Sequence, residues 1–472
     1  MKGSALLFCC ILLTGLSSLA ALSTSERAAV DQISADSMRG NLSFLASDAL
    51  EGRATPSRGL DVAAEFIAAQ FRRAGLEPIE KDGSYFQTAK LTEVTPNLEG
   101  LQLTLKTGGE ELELKSNDLR VRSLAALELT DAPVIELPEE GDLPSIEGKV
   151  VAGAAGKYGN EAALARLRAG KPALILLVGR RGSPNNERPY LEEKSSAPVP
   201  MIRLASADAA EILAAKKPLI VSVHIPVPKT KDALAHNVGA VLRGSDPALR
   251  DQYVFLTAHY DHLGMSSSPT GDRVYNGAND NGSGTVSVIE IASALASLPL
   301  HPRRSIVFMA WYGEEEGLLG AFYYTHHPLV PLKDIVANIN LEQMGRTDEL
   351  DGPEVGAFAF TGPSYSDLPE MMTAAAKLEN VSIYTKKNAD AFFNRSDNYA
   401  FALAGIVAHT AVVAFEYPDY HGLADEWQKI DFVNMAKVDR GVAAGVLEIA
   451  DAPEPPKWSD VKQTVPYRRA VK

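Results

Sequence analysis

Cysteine is almost absent from this chain of 472 residues. The only two cysteines, Cys9 and Cys10, are adjacent and lie in an apolar stretch at the amino terminus. If residues 1–21 are removed as a secretion signal, the mature chain contains no cysteine at all. The sequence therefore excludes disulfides and thiol chemistry in the mature protein, and with them a cysteine protease.

Long apolar runs are also lacking. The amino-terminal apolar stretch, residues 5–13, is shorter than the ~20 residues that a membrane-spanning helix needs. It follows a lysine and precedes small residues that end near Ala20 and Ala21. This pattern predicts a signal peptide over residues 1–21 and export to the periplasm or the extracellular space. After cleavage of the signal we expect no stable membrane insertion.

Blocks of positive charge are absent as well. The chain carries 60 acidic and 46 basic residues, which gives a net charge of −14. This balance argues against nucleic acid or an anionic membrane as a partner. At about 150 residues per domain, the length predicts two or three domains. Nothing in the sequence indicates an oligomeric state.

The most informative residues are His259 and Asp261, which follow a strand-like apolar run over residues 253–257. A second aspartate, Asp280, lies in the next loop, just before a helix candidate. Imidazole and carboxylate are the ligands that a borderline-soft cation such as zinc selects. Asp261 is close enough in sequence to accept the second ring N–H of His259 and so to orient the ring. Because a lone His-x-Asp is weak evidence, the prediction depends on further ligands downstream.

Three consecutive glutamates follow the next buried strand. Residues 305–310 form a continuous apolar run that is typical of a parallel strand, and Glu314, Glu315 and Glu316 come just after it. Adjacent loop residues point in different directions, so one carboxylate can bind a metal while its neighbour acts as a general base. The alternative is an acidic, solvated first turn stabilised by the helix dipole, and these residues alone leave both interpretations open.

Two more candidates follow in the chain. A third strand-like run, residues 335–341, ends at Glu342, and Tyr420 and His421 lie in a later loop. On its own, His421 is more often a surface histidine than a ligand; as the last member of this series it is predicted to be a ligand. The candidates then come from four successive strand or loop ends, the edge at which open α/β sheets place their active sites.

Together these segments resemble the M28 family of zinc metallopeptidases, the family of bacterial aminopeptidases and of relatives of glutamate carboxypeptidase. The resemblance covers most of the chain, and the ordered combination is specific although no single piece is. The matching pieces are His-Tyr-Asp-His-Leu-Gly from position 259, Gly-Ala-Asn-Asp-Asn-Gly-Ser-Gly from 277, Glu-Glu-Glu-Gly-Leu-Leu-Gly from 314, Asn-Leu-Glu-Gln-Met-Gly from 340, Arg-Ser-Asp-Asn from 395 and Tyr-His from 420.

The resemblance implies a fold and a metal centre. The fold is α/β, with a mixed, mostly parallel central sheet flanked by helices, as in the zinc exopeptidases and other phosphorylase/hydrolase-like proteins. The centre holds two zinc ions (Zn²⁺) per chain, bridged by Asp280 and a water. One zinc is further held by His259 and Glu342, and the other by Glu315 and His421.

The resemblance also implies the catalytic roles. Glu314 is the general base, which takes a proton from the attacking water and returns it to the leaving amine. Asp261 is not itself a ligand, but it orients the ligand His259. Two further residues are candidates for contacts with the substrate: Tyr420 for a hydrogen bond to the oxyanion, and Arg395 for a substrate carboxylate.

The chain departs from the commonest pattern of the family at three places. Glu342 stands where many members have aspartate, and its longer side chain can still reach a zinc ion. Asn398 replaces the histidine of the usual Ser-Asp-His triplet, and His421 is followed by Gly-Leu-Ala-Asp instead of Thr-Pro-x-Asp. No implied ligand is lost. The departures concern the substrate pocket and leave the metal chemistry intact.

The sequence divides into segments that differ in composition and in apolar pattern. After the signal peptide we expect residues 22–130 to form the amino-terminal part of the peptidase domain and residues 228–452 its catalytic part. Residues 131–227 contain none of the implied ligands and resemble the protease-associated (PA) domain that many M28 enzymes carry; extra sheet of the catalytic domain is the alternative. Residues 453–472 are proline-rich and lack periodicity, which predicts an extended or disordered tail.

Local patterns predict individual elements. Residues 59–75 are a helix candidate in which Val62, Phe66, Ile67 and Phe71 share one face and Gly75 is placed as the C-cap. Val62 is expected on the buried face of this helix. Alternating leucines on either side of Thr-Gly-Gly-Glu at 107–110 predict a β-hairpin, and residues 226–232 are interpreted as a linker.

Taken together, the sequence favours an exported zinc exopeptidase, most of all an aminopeptidase that acts on peptides. The nearer alternative is a carboxypeptidase of the same fold, which would need a cation such as Arg395 for the substrate carboxylate. The alternative from another class is a non-catalytic, receptor-like binding protein that kept the fold without its metals. The intact ligand set with Glu314 argues against it, because a scaffold has no need for a cluster of buried carboxylates.

Overall fold

The computed structural model describes residues 22–138, 141–159, 161–179, 190–193, 199–268, 270–350 and 355–468. The predicted signal peptide lies outside these residues. Within them, no helix is both long enough and apolar enough to span a membrane.

The described residues form twelve α-helices and twenty strands, besides short 3₁₀ and π segments. The helices are α1 Thr24–Val30, α2 Ala35–Leu45, α3 Arg58–Arg73, α4 Ala155–Tyr158, α5 Glu161–Ala169, α6 Ala207–Ala214, α7 Gly284–Ala296, α8 Leu319–His326, α9 Leu368–Leu378, α10 Asn398–Leu403, α11 Phe432–Asp451 and α12 Val465–Arg468. The strands are β1 Glu77–Pro78, β2 Phe86–Thr95, β3 Gln102–Thr107, β4 Glu110–Leu114, β5 Leu119–Arg122, β6 Leu127–Glu136, β7 Val150–Ala154, β8 Leu174–Val178, β9 Tyr190–Glu193, β10 Met201–Leu204, β11 Leu219–Ile225, β12 Lys229–Leu242, β13 Tyr253–His259, β14 Gly264–Met265, β15 Val274–Tyr275, β16 Ser305–Trp311, β17 Ile335–Glu342, β18 Ala357–Phe360, β19 Ser382–Tyr384 and β20 Ala408–Val412.

The central sheet has the strand order β19-β18-β20-β17-β13-β16-β12-β2-β9, and β1 pairs with β12. Its four middle strands, β20, β17, β13 and β16, run parallel. The strands beyond β16 pair antiparallel. Every residue of β13 and β16 is buried, because helices cover both faces of the sheet, and this is why these strands are continuous apolar runs. The predicted α/β fold is confirmed, with the parallel pairing concentrated in the middle of the sheet.

Two apolar layers enclose the central sheet. On one face α2, α3, α7, α9 and α11 pack into one large core, and on the other face α8, α10 and α12 pack into a smaller one. Helix α3 has Ser57 as its N-cap, with the hydroxyl accepting from the backbone N–H of Leu60 at 3.0 Å. Gly75 follows the helix with φ +76°, a left-handed conformation that favours glycine. Val62 is 39% exposed, so its predicted place on the buried face is wrong.

A second sheet of eight strands, ordered β4-β3-β11-β6-β7-β8-β10-β5, spans residues 102–225. It has cores of its own, built from β-strand residues and from the helices α5 and α6. The predicted hairpin is confirmed as β3 and β4, but it belongs to this sheet. The second sheet therefore begins about thirty residues before the predicted boundary at 131, because β3 pairs with β11, more than a hundred residues later.

The predicted insertion, residues 131–227, also contributes a strand to the central sheet. Strand β9 lies inside the predicted insertion, yet it pairs with β2 at the edge of the central sheet. Strand β12 begins at Lys229 and pairs with β2 over ten residues. The interpretation of residues 226–232 as a linker is therefore wrong from Lys229 onward, because its backbone is already part of a ladder.

The carboxyl-terminal segment packs on the protein as far as Arg468. The Trp458 indole N–H donates to the carbonyl of Gly405 at 3.0 Å, and its ring lies 5.3 Å from that of Tyr467. Lys457 donates its backbone N–H to Asp367 at 2.6 Å. Of the two predicted alternatives for the tail, disorder is wrong for residues 453–468, since Trp458 and Tyr467 anchor the segment and its last described residues form α12.

A buried aspartate on α11 predicts a pH dependence of stability. Asp439 lies beside Ser287 and Glu290 of α7, and burial raises the pKa of Asp439 to about 8. The unfolded chain ionises this group near pH 3.9, so between about pH 4 and pH 8 the folded state binds more protons than the unfolded state. The contribution of Asp439 to stability is therefore complete at low pH and declines by roughly 1.4 kcal/mol per pH unit across this interval.

We expect Asp439→Asn to be more stable than the parent protein at pH 8, with the difference shrinking towards pH 5, because the amide cannot ionise. Urea unfolding from pH 5 to pH 8 measures the change, with the exposed Asp251 changed to Asn as the control. An equal change in stability at both ends of the pH range would contradict the prediction.

Candidate metal centre

The predicted site residues meet at the carboxyl edge of the parallel strands. Strand β13 ends at His259, and Glu342 is the last residue of β17. Glu314 and Glu315 follow β16, and Asp280 lies in an irregular buried turn before α7. Because these strands are parallel neighbours, the residues that follow them emerge at the same edge. The loop after β20 brings His421 to this edge as well.

Asp280 lies between two histidines. Its Oδ1 is 3.4 Å from Nε2 of His259, and its Oδ2 is 3.0 Å from Nε2 of His421. The Nε2 atom of His259 is also 3.4 Å from Oε2 of Glu342, and that of His421 is 3.3 Å from Oε1 of Glu315. The structure therefore brings all five predicted ligands together. They form two groups, one on each oxygen of Asp280.

A sixth residue, His262, joins the second group. Its Nδ1 lies 2.9 Å from Oε1 of Glu315, and donor atoms of His262, Asp280 and Glu315 all lie within 4.8 Å of one another. Neither ring nitrogen of His262 makes a hydrogen bond within the described part of the chain. The sequence analysis assigned no role to His262. Its place in the same motif as His259 was a signal, but three residues of loop do not fix the direction of a side chain.

The donor set fits zinc. Buried Oε1 of Glu315 and both nitrogens of His262 have no hydrogen-bond partner among the described residues, although they lie close together. Buried polar atoms are nearly always hydrogen-bonded, so unpaired ones that converge indicate a missing partner. Imidazole nitrogens and carboxylate oxygens are the donors that zinc takes, and a cation relieves the repulsion among the carboxylates. His259 and Glu342 would hold one ion, Glu315 and His421 the other, and Asp280 would contribute to both.

Glu314 and Asp261 lie beside the first group. Donor atoms of Glu314, His259 and Glu342 come within 4.8 Å of one another. Asp261 accepts the backbone N–H of Glu314 at 3.1 Å and that of Glu315 at 3.4 Å. Its carboxylate is 3.4 Å from Nδ1 of His259, and its backbone carbonyl is slightly closer at 3.2 Å. Asp261 thus holds both the histidine and the glutamate loop.

The charges at the site shift its pKa values. Desolvation raises the pKa of Glu314 well above its usual value, and the neighbouring Glu315 and Glu342 raise it further. Burial lowers the pKa of His421, but the neighbouring carboxylates of Asp280 and Glu315 outweigh it and bring the pKa to about 10. Glu314 therefore binds a proton more tightly than an ordinary glutamate does, which suits a group that accepts a proton and later returns it.

Residues outside the donor set fix the loops that carry it. Asp425 accepts the backbone N–H of Asn279 at 3.1 Å and that of Asp280 at 3.0 Å, and it also accepts the Tyr417 hydroxyl at 3.0 Å. It therefore joins the Asp280 turn to the loop that carries His421. The charge of Asp425 serves to position Asp280.

Arg53, which sequence reasoning missed, is fully buried beneath the site. Its guanidinium donates to the carbonyls of Tyr260 at 2.8 Å, Asn276 at 2.7 Å and Gly277 at 2.9 Å. These carbonyls belong to the two segments that carry the His259 and Asp280 donors. More than two hundred residues separate Arg53 from them in sequence, so no local pattern could have indicated the contact.

The two predicted substrate residues line a small cavity over the donors. Its volume is about 60 Å³. Tyr420 stacks on the His421 ring at 4.1 Å, and the Arg395 guanidinium lies 5.1 Å above the Phe392 ring. The lining residues are His259, Asp280, Glu314, Glu342, Gln343, Thr361, Phe392, Arg395, Ser396, Thr410, Val412, Phe415 and Tyr420.

Asn398, the departure from the family triplet, is not among these lining residues. Its side chain is buried, where it donates to the Phe393 carbonyl at 3.0 Å and accepts from Thr410 at 2.7 Å. Its contacts are structural, and the expected effect on the pocket is limited to the support of Thr410.

Comparison with known proteins relates this geometry to a family. Residues 237–446 match the model of peptidase family M28. Aminopeptidase YwaD of Bacillus subtilis is 30% identical over 210 residues, 43% of this chain and 42% of that protein. A probable leucine aminopeptidase 2 of Aspergillus oryzae is 27% identical over 317 residues, 64% of this chain and 59% of that protein. The chain thus spans less than two thirds of the length of these curated relatives.

Solved structures show that the fold is shared. An aminopeptidase from Aneurinibacillus sp. strain AM-1 superposes with a TM-score of 0.55 at 16% identity and covers 92% of this chain and 98% of its own. BSAP, a zinc aminopeptidase from Bacillus subtilis, superposes with a TM-score of 0.51 at 20% identity and covers 89% of this chain and 96% of its own. Both superpositions extend well beyond residues 237–446.

Proposed function

Residues 237–446 of this protein are a peptidase domain of family M28, and from this premise we propose that it is a zinc aminopeptidase that removes single residues from the free amino terminus of peptides. The observation that carries the proposal is the position of Asp280, whose two carboxylate oxygens face His259 and His421 on opposite sides. A carboxylate in this position could contribute one oxygen to each of two metal ions. A pair of metal ions is in turn well suited to the hydrolysis of an amide bond.

The metal and the protein divide the chemistry between them. Zinc, when bound, would lower the pKa of water towards ~7 and polarise the scissile carbonyl. Glu314 lines the cavity over the donors, within reach of a water held there. It accepts the proton of the attacking water and donates it to the leaving amine. Tyr420 lines the same cavity, and we infer that its hydroxyl donates a hydrogen bond to the oxyanion that develops.

The charge of the site favours an ammonium group over a carboxylate. Glu315, Glu342 and Glu314 lie together at the donor cluster. Asp397 is fully buried nearby, and neither of its oxygens has a hydrogen-bond partner among the residues described. Two bound zinc ions would offset the charge of their own ligands, so the attraction for a cationic amino terminus and the repulsion of a carboxylate come from the carboxylates outside the ligand set, Glu314 and Asp397.

We expect acetylation of the amino terminus of a peptide to abolish its cleavage. The acetyl group removes the positive charge that the acidic cluster attracts and adds bulk at a cavity of about 60 Å³. Mass spectrometry of matched peptides, one free and one N-acetylated, measures release of the first residue. Amidation of the carboxyl terminus is the control modification, and it should leave cleavage of the first residue intact.

A second candidate, a carboxypeptidase, rests on Arg395. Its guanidinium lines the same cavity and is a cation suited to a substrate carboxylate. Release of C-terminal residues from N-acetylated peptides would reject the aminopeptidase proposal and place the substrate carboxylate at Arg395. Failure to cleave either peptide, together with failure to bind zinc, would favour a non-catalytic binding protein.

We also propose that the second sheet, residues 102–225, is a protease-associated domain and that the protein is exported. Two observations support the separate domain: the sheet has its own apolar cores, and none of the donor residues lies in it. Export depends on the predicted signal peptide. Sequencing the amino terminus of the mature protein tests it, because cleavage near residue 21 is the expected result.

A further inference from the structure

The donor His421 is supported differently from the donors of the first group. His259 and Glu342 are the last residues of strands β13 and β17, and their side chains are 1% and 8% exposed. The side chain of His421 is 35% exposed, and its φ of +54° is a left-handed conformation that residues other than glycine seldom adopt. It lies in residues 413–426, which form neither helix nor strand and which we call the His421 loop. The position of this donor therefore depends on the contacts that the loop makes.

Residues 343–350, which directly follow β17, hold the start of the His421 loop. We refer to them as the bridging segment. Glu349 is buried, and its carboxylate accepts the backbone N–H of Phe415 at 2.5 Å and that of Glu416 at 3.3 Å. Leu350 donates its backbone N–H to the carbonyl of Glu416 at 2.8 Å. These bonds fix the point at which the loop leaves β20.

The bridging segment also holds the middle of the loop, through Arg346. The buried guanidinium donates to the carboxylate of Asp419 at 2.9 Å and lies 5.1 Å from the centre of the Tyr417 ring. Its other nitrogens donate to Asp348 of the bridging segment at 2.8 Å and 2.5 Å. The planar fork of an arginine suits such a double contact. Asp348 thus orients Arg346 towards Asp419, which is two residues before His421.

Asp419 has a second cationic partner, Lys429. The ammonium of Lys429 donates to the carboxylate of Asp419 at 2.9 Å, but this lysine is exposed. An exposed lysine contributes little to an ion pair, because water screens its charge and its flexible side chain loses entropy when it is held. Arg346 is therefore the partner that fixes Asp419.

The bridging segment is bonded to the Asp280 turn as well. Three consecutive backbone N–H groups donate to side chains on either side of Asp280: Gln343 to Asn281 at 3.2 Å, Met344 to Ser283 at 2.9 Å and Gly345 to Asn279 at 2.8 Å. One short segment thus contacts both the turn that carries Asp280 and the loop that carries His421, whose donor atoms lie 3.0 Å apart.

We propose that Arg346 and Asp419 are positioning residues for His421, and that their ion pair sets the affinity for the second zinc, the one assigned to Glu315 and His421. Residues that orient a metal ligand typically change metal affinity by about 10–100-fold. The site assigned to His259 and Glu342 should not depend on the pair, because strand ends carry both donors. The inference rests on the proposed dinuclear aminopeptidase and deepens it, since it states which of the two ions is lost first.

The first experiment measures zinc content in Asp419→Asn and in the parent protein. Asparagine keeps the shape of the side chain and removes its charge, and Arg346 keeps its contacts with Asp348, so no buried cation is left without a partner. Both proteins are dialysed against a series of buffered free-zinc concentrations. We expect the second equivalent of zinc to require about 10-fold more free zinc or higher in the variant, and the first equivalent to bind as in the parent.

The second experiment measures activity over the same zinc series, which separates positioning from damage to the fold. At saturating zinc the kcat of Asp419→Asn should return to near the parental value, because the bound ion then holds His421 in place. Arg346→Gln should shift the zinc dependence in the same direction. The double variant should shift it no further than the larger single effect, since the two residues act as a pair.

Asp246→Asn is the matched control. Asp246 is half-buried like Asp419 and forms an ion pair of the same length, 2.9 Å, with Arg303. It lies before the amino end of β13, whereas the donors lie at the carboxyl edge. Both equivalents of zinc should bind to this variant as they bind to the parent, and thermal melting shows whether each variant is folded.

The outcomes separate the two proposals. Unchanged affinity for the second zinc in folded Asp419→Asn and Arg346→Gln overturns the positioning proposal alone. Parallel weakening of both equivalents, or a kcat that stays low at saturating zinc, also overturns it, because the pair would then support the whole site. A parent protein that binds two zinc ions but cleaves no peptide counts against the aminopeptidase function, while zinc content still reports on the pair. One zinc per parent chain rejects the dinuclear centre and, with it, the role of Arg346 and Asp419.

Discussion

Glu314→Gln is expected to lower kcat by about 10²–10⁴-fold while the fold and the zinc content stay unchanged. Glutamine keeps the shape of the side chain but cannot accept a proton from water. Glu314 lines the cavity over the donors, and its backbone N–H is held by Asp261 at 3.1 Å, so the substituted side chain should keep its position. Steady-state kinetics on a free peptide and metal analysis of the same sample measure the two effects.

Glu416→Gln is a suitable control for this substitution, because Glu416 is an exposed glutamate beyond the cavity lining. Loss of zinc from Glu314→Gln would show that this glutamate is a ligand. The geometry makes the test necessary, since Glu314 lies within 4.8 Å of donor atoms of His259 and Glu342. The roles of Glu314 and Glu315 would then have to be exchanged.

Removal of metal is expected to abolish activity, and two equivalents of zinc per chain should restore it. The carboxylates at the site repel one another when no cation is present, so we also expect the metal-free protein to melt at a lower temperature than the loaded protein. Dialysis against a chelator, followed by titration with zinc, measures both quantities. One metal per chain at saturation, or activity that is indifferent to chelation, would reject the dinuclear centre.

Two histidine variants refine this prediction. His421→Ala should bind one zinc fewer, because His421 faces Asp280 at 3.0 Å and Glu315 at 3.3 Å. His262→Ala distinguishes a ligand from a neighbour: His262 has the closer approach to Glu315, at 2.9 Å, yet the family resemblance gave it no role. A stoichiometry of two in His262→Ala would mean that His262 only supports the glutamate.

Much of the fold could be predicted because the burial of a helix or strand determines the pattern of apolar residues along it. Strands covered on both faces are continuous apolar runs, and the predicted runs at 253–257, 305–310 and 335–341 are the middle strands β13, β16 and β17. The hairpin of β3 and β4 and the helix α3 were likewise predicted from the local pattern of apolar residues. The errors arose where pairing partners are distant, as for the sheet to which β3 belongs, or where aromatic residues, Trp458 and Tyr467, anchor a proline-rich segment.

The residues of the candidate site were also predicted only in part. The order of histidine, aspartate and glutamate residues after successive strands predicted which side chains would converge, since parallel strands deliver their ends to one edge. Arg53 and the direction of His262 were missed, because one lies in a distant segment and the other depends on the path of a loop.

By itself the sequence determined the types of donor, their order, the strands that carry them and the absence of any thiol after Cys10 that could replace them. Only the tertiary structure decided that the two oxygens of Asp280 face different histidines and that a buried guanidinium holds the loops beneath them. It also decided that Arg346 forms an ion pair with Asp419 in the loop that carries His421. The physical reason is that periodicity records how each element is buried, whereas contacts between elements depend on how packing and strand pairing place distant parts of the chain side by side.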